Sequence, residues 1–287
     1  MKFYNWPRKV GMEAYGQAAE SVKRLYSKVP GYSSMYTFGS VSAPGISDLD
    51  IILVLKDNSK RHFPLRLKTV YFGNLEKDLR YVVYHNFFVC SENVMQDFRY
   101  IYPFADVKKI YGNDIAIEEL SSGTKRAAAM ILLMDLIAEN FPREFVEILK
   151  SDKIDIRNTL LRLNSLGIDI RSFKACFGKA PKSEWRSYEQ QVSGLRRNWF
   201  KNDIEENKKK LLQLIRIAPQ VSVDLIESAD EYIVSKGFVT AEKGKGPNIF
   251  SSHRYYTIFQ PDWRKDAALQ KMVSGNAQKP KAFGAPE

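Results

Sequence analysis

Apolar positions first recur at helical spacing over residues 11–28, where Val22, Leu25 and Tyr26 form a stripe that Pro30-Gly31 ends. The period then shortens. Residues 33–38 predict a strand running into Gly39-Ser40, and residues 49–55 predict a second. Apart from Asp50, the second is apolar and rich in β-branched residues, so both of its faces are expected to be buried. The small, polar residues 40–47 between them read as a loop or a short helix. Residues 56–61 read as a solvated, charged turn. Residues 65–72 are ambiguous. Leu65, Leu67 and Thr69 alternate with Arg66 and Lys68, which fits a strand, with Gly73-Asn74 turning into a short helix over 75–79. The aromatic and β-branched run 81–90 predicts a further strand.

From residue 121 the pattern is helical. Ser121, Ser122 and Thr124 offer N-caps to a strongly apolar helix over 125–140, and Pro142 opens another that reaches 150. A helix over 155–166 is expected to stop at Gly167, and a short one over 169–177 at Gly178. Three more are expected over 181–202, 203–217 and 221–236. Beyond residue 243 the chain reads as loop, with 254–259 as a late strand and 274–287 disordered. The expected class is α+β. It comprises a sheet domain over 1–115, a helical domain over 116–242 and a loop-rich segment over 243–287.

Composition narrows the setting. Of 287 residues, 44% are apolar and 27% charged, as in ordinary globular chains. The longest apolar run, 127–138, is too short to span a bilayer and is interrupted by Asp135. The first residues lack the uncharged core of a secretory signal, so no membrane partner is expected. Cys90 and Cys176 have neither metal-ligand nor disulfide-framework spacing, which points to a reducing cytoplasm. The net charge of +11 suits polyanionic partners. Arg196, Arg197, Lys208, Lys209 and Lys210 read as solvated helix faces, or alternatively as a patch for an anionic substrate.

The candidate chemistry sits at the head of the second strand. Side chains alternate along a strand, so Asp48 and Asp50 are expected on one face. Adjacent carboxylates repel unless a cation lies between them, and a hard ion such as Mg²⁺ takes oxygen ligands while keeping places for phosphate oxygens. Upstream, Gly39-Ser40 has little bulk and lets backbone N–H groups and a hydroxyl approach an anion, more so if a helix starts there. A plain hairpin turn rich in Ser, Gly, Pro and Asp is the alternative.

The pair Gly39-Ser40, followed after seven residues by Asp48-Leu49-Asp50 on an apolar strand, resembles the signature of the DNA polymerase β-type nucleotidyltransferase superfamily. The resemblance is firm over about residues 30–60 and loose to about 115, where Lys108-Lys109-Ile110-Tyr111-Gly112 is similar to an element after the catalytic sheet. It implies a small mixed-sheet domain flanked by helices and followed by a mostly helical C-terminal domain. It implies transfer of a nucleoside monophosphate from a nucleoside triphosphate such as ATP to a hydroxyl acceptor, releasing pyrophosphate. Asp48 and Asp50 would hold one or two Mg²⁺ ions, and Gly39 and Ser40 would contact phosphates, with Ser47 and Ser42 as lesser contacts. The acceptor, whether small molecule, RNA or protein, is not read from the residues. Active relatives commonly carry a third carboxylate on the next core strand. Here that strand is expected to offer His85-Asn86 instead. His85 is a poor Mg²⁺ ligand but a competent base near neutral pH, or simply a polar sheet residue. Asp78, Asp97 and Asp106 are the other acids nearby. A catalytically impaired relative that binds nucleotide or a partner, and a nucleic-acid-binding protein built on the basic helices, are the competing readings.

Overall fold

The computed structural model describes residues 1–56, 77–84, 87–126, 128–129, 133, 141–178 and 183–235. The expectations for 57–76, for most of the 125–140 helix, for the 254–259 strand and for the 274–287 tail lie outside the described residues. The described chain is mixed α+β and divides into two compact units. A sheet unit comprises Pro7–Arg99 and Ala105–Glu119. A helical unit comprises Met1–Trp6, Tyr100–Phe104 and the described chain from Leu120.

In the sheet unit, α1 (Met12–Tyr26) buries Ala14, Tyr15, Ala18, Ala19, Val22 and Tyr26, the stripe that helical spacing demands. Four strands follow: β2 (Tyr32–Phe38), β3 (Asp50–Leu55), β4 (Phe88–Ser91) and β5 (Val107–Gly112). They form one sheet in the order β4-β3-β2-β5. β2 runs antiparallel to both β3 and β5, whereas β3 and β4 are parallel, so the sheet is mixed. Ile51, Ile52, Leu53 and Val54 are all buried, so β3 is covered on both faces as its composition implies. Leu49, Ile51 and Leu53 join Met35 and the α1 stripe in one core.

The run 81–90 is not one strand. Tyr81 and Val82 close helix α2 (Lys77–Val82), which reaches beyond the end expected at 79, and β4 begins only at Phe88. The reason lies in the core. Leu79 and Val82, three residues apart, enter it together with Val83, whose N–H donates to the Leu79 carbonyl at 3.2 Å. Burial at helical spacing outweighs the local β propensity. Two short helices, α3 (Glu92–Gln96) and α4 (Phe98–Ile101), follow β4. Burial pushes the Cys90 thiol up to about 12, and that of Cys176 to about 11; both are free and poor nucleophiles.

The helical unit contains α5 (Phe141–Lys150), α6 (Ile156–Phe177), α7 (Ser183–Asn198) and α8 (Ile204–Ser235). Two expected breaks are absent. α6 runs through Gly167, because the buried row Leu160, Leu163, Leu166, Ile170 and Phe173 continues across it. Gly178 does terminate α6, in the left-handed conformation at φ +81°. α8 likewise runs through Pro219 on the buried row Leu211, Leu214, Ala218, Val221 and Leu225. The packing outweighs the hydrogen bond that proline removes. Two three-residue strands were too short for periodicity to reveal: β1 (Lys2–Tyr4) pairs in parallel with β6 (Lys153–Asp155). Asn5 fastens this end by donating to Asp155 Oδ1 at 2.8 Å, and Asp155 also caps α6 by accepting from the Asn158 N–H at 2.9 Å.

The basic helix residues do not form a uniform solvated face. Arg196 is buried, Lys208 and Lys210 pair with Glu205 and Glu206, and Lys208 also lies over the rings of Phe3 and Trp6. Among the described residues no helix is long and apolar enough to cross a membrane.

Asp169 in α6 is 2% exposed, and its Oδ2 has no hydrogen-bond partner among the described residues. Burial holds its carboxyl well above the ordinary range, against the opposing pull of Arg171. The folded chain therefore keeps this proton at pH values where the unfolded chain, titrating near about 3.9, has lost it. Stability falls as pH rises from that value towards the folded pKa. Asp169→Asn is expected to flatten this part of the profile and raise stability at neutral pH. Urea midpoints measured from pH 4 to 8 for both chains check it.

Candidate functional site

The site is built from the end of β2, the loop 40–47 and the start of β3. Phe38 is the register partner of Asp50, so the residue after Phe38 turns over the head of β3. That residue is Gly39, at φ +75°, a conformation that L side chains rarely adopt. A Cβ placed on it would stand 3.4 Å from Asp50 Oδ2. The Gly39-Ser40 turn and the Asp50 carboxylate are thus direct neighbours, and both turn residues are exposed. Gly39→Ala is expected to cost about 1–2 kcal/mol from the positive φ, and to set a methyl group against the carboxylate. Urea unfolding of the variant measures the cost.

Leu49, Ile51 and Leu53 point into the core under α1 and α2. Alternation then puts Asp50 on the opposite face of the sheet, and Asp48 and Asp50 are both half-buried. That opposite face carries Phe38, whose ring packs edge-on against Phe88 at 5.0 Å and Phe98 at 5.5 Å. The floor beside Asp50 is therefore aromatic.

The loop 40–47 is a series of turns with no helix. The Ala43 carbonyl accepts from the N–H groups of Ile46 at 3.0 Å and Ser47 at 2.8 Å, and the Ser40 carbonyl accepts from the Ser42 N–H at 3.1 Å. Without a helix there is no helix dipole to favour an anion. The Gly39 N–H is itself engaged, donating to the Asp106 carbonyl at 3.0 Å. Ser47 is buried, and its hydroxyl accepts from the Ala43 N–H at 3.2 Å, which ties the loop to itself.

Of the remaining residues singled out by sequence, His85 and Asn86 lie outside the described residues. The described strand β4 carries Phe88, Val89, Cys90 and Ser91, so it brings no carboxylate beside β3. Among the described residues no group of three or more His, Cys, Asp or Glu is arranged to hold a metal. Asp106 is exposed, and its backbone lies next to Gly39 on the far side of β2 from Asp50.

Two residues that sequence reasoning passed over hold the loop. Tyr15 of α1 donates to the Ser47 carbonyl at 2.7 Å and accepts from the Gly45 N–H at 3.0 Å. Tyr81 of α2 donates to the Gly45 carbonyl at 2.6 Å and accepts from the Arg8 N–H at 3.0 Å. The signal that could have pointed to them is Pro44-Gly45 itself. A buried peptide in a loop needs polar partners from elsewhere in the chain.

No protein-family model, curated protein or solved structure matches this chain.

Proposed function

We propose that the chain is a metal-dependent nucleotidyltransferase that moves a nucleoside monophosphate from a nucleoside triphosphate to a hydroxyl acceptor and releases pyrophosphate. The observation that carries this reading is the contact between the Gly39 turn and Asp50. A Cβ added at Gly39 would stand 3.4 Å from Asp50 Oδ2, so the turn passes within van der Waals reach of the carboxylate and presents no side chain to it. The donor set suits Mg²⁺: two half-buried carboxylates supply hard oxygens and leave other positions to phosphate oxygens and water. Bound there, the ion would neutralise charge building on the phosphates.

Asp48 and Asp50 would hold the metal. The exposed Ser40 would contact the terminal phosphates by its backbone N–H and hydroxyl, since the Gly39 N–H is engaged with Asp106. Gly39 contributes by the bulk it lacks. Phosphoryl chemistry of this kind depends on positioning and charge more than on covalent catalysis, so the ends of two central strands and a firmly held loop suffice as scaffold. His85 would accept the proton of the attacking hydroxyl.

A second reading is a relative that binds nucleotide without turnover. It is favoured by the lack of a carboxylate in the described part of β4. Incubation with each α-labelled nucleoside triphosphate and Mg²⁺, with and without cell extract, separates the two. Transfer of label with pyrophosphate release supports the enzyme. Metal-dependent retention of nucleotide with no transfer supports the second reading, and neither outcome occurring refutes both.

A further inference from the structure

We infer that Tyr15 and Tyr81 are positioning residues that set the place of Asp48, an inference that rests on the nucleotidyltransferase reading. The two peptide bonds that flank Asp48 are both held from outside the loop. The Ser47 carbonyl accepts from the Tyr15 hydroxyl at 2.7 Å, and the Leu49 N–H donates to the Val82 carbonyl, next in sequence to Tyr81, at 2.9 Å. The aspartate therefore hangs between α1 on one side and the end of α2 on the other.

The same two hydroxyls grip Gly45 from both ends. Tyr15 takes its N–H and Tyr81 its carbonyl, and each hydroxyl is used once as donor and once as acceptor. Gly45 sits at φ +84°, and its neighbour Ile46 is fully buried, so the loop has one anchored conformation between the Gly39-Ser40 turn and Asp48. A side chain oriented through its neighbours in this way acts like the outer shell of a metal site, whose loss commonly costs 10–100-fold in metal affinity or activity.

Tyr36 provides a matched control. It is as buried as Tyr15, and its hydroxyl also donates once, to the Asn113 carbonyl at 3.2 Å, and accepts once, from the Ile115 N–H at 3.1 Å. The experiment titrates Mg²⁺ into the full chain with each of the four non-hydrolysable nucleoside triphosphate analogues. The chains compared are wild type, Tyr15→Phe, Tyr81→Phe, Tyr36→Phe and Asp50→Ala, with thermal midpoints recorded beside them. Tyr15→Phe and Tyr81→Phe are expected to raise the Mg²⁺ concentration for half-saturation about tenfold. Tyr36→Phe is expected to lower the midpoint similarly and to leave the Mg²⁺ requirement unchanged. Equal Mg²⁺ requirements in the Tyr15, Tyr81 and Tyr36 variants, with Asp50→Ala still abolishing binding, overturn the positioning role and spare the site. Metal-dependent binding that survives Asp50→Ala, or is missing from the wild type, overturns the site and the positioning role together.

Discussion

Asp50→Ala and Asp48→Ala are each expected to lower nucleotidyl transfer on the order of a thousand-fold, with little loss of folding. The size follows from the role proposed. A metal that neutralises the transferring phosphate contributes several kcal/mol to the transition state, and each 1.4 kcal/mol is a factor of ten in rate. The sparing of the fold follows from the geometry. Neither side chain belongs to the core cluster. Leu49, Ile51 and Leu53 fill that core from the other face, and the β2–β3 pairing uses backbone groups that alanine retains. Circular dichroism and the urea midpoint should stay within about 1 kcal/mol of wild type, the ordinary range for changes away from a packed core. A variant that loses its turnover and its fold together would place these aspartates in the scaffold.

Gly112→Ala is expected to give a larger loss of stability than Gly39→Ala. Gly112 ends β5 at φ +86°, and an added Cβ would stand 2.0 Å from the Ser33 carbonyl oxygen and 2.7 Å from Ser34 Cα. Both are backbone atoms of the neighbouring strand, so no side-chain rotation relieves the overlap. The strand end must move away, and the contacts beyond it go too. The Ser34 and Tyr36 hydroxyls both donate to the Asn113 carbonyl, at 2.9 and 3.2 Å. A cost of about 3–5 kcal/mol is expected, the range seen when backbone strain and lost hydrogen bonds combine. Hydrogen exchange should report it as lost protection over 32–38 and 107–112. Protection equal to wild type would show that β5 accommodates the methyl group without moving.

The parts of the fold legible in the sequence were those whose burial follows a simple period. α1 carries a one-sided stripe and β3 an apolar run, so the pattern marks each to within a few residues. Where local signals and packing disagreed, packing won. Tyr81 and Val82 have strand-like side chains but close α2, because Val82 and Val83 are needed in the core and the Tyr81 hydroxyl reaches Gly45. Gly167 reads as a stop and the pattern predicts a break between 217 and 221, yet the apolar rows of α6 and α8 pass through both.

The candidate site divides in the same way. Gly39 and Asp50 meet because a short loop joins adjacent antiparallel strands, and short separations can be reasoned out. The grip on that loop could not be. Tyr15 lies 30 residues and Tyr81 36 residues from Gly45, and no periodicity relates a hydroxyl on a helix to a peptide so far along the chain. The sequence offers Ser47 as a lesser phosphate contact; the side chain is buried, and its hydroxyl accepts from the Ala43 N–H within the loop.

The most direct measurement is calorimetric titration of the wild-type chain and Asp50→Asn with each nucleoside triphosphate, at saturating Mg²⁺ and again in EDTA. The account predicts that the wild type binds at least one nucleotide only when Mg²⁺ is present, and that Asp50→Asn, the same shape without the charge, loses that binding. Binding of equal strength in EDTA, or binding that Asp50→Asn retains in full, would contradict it.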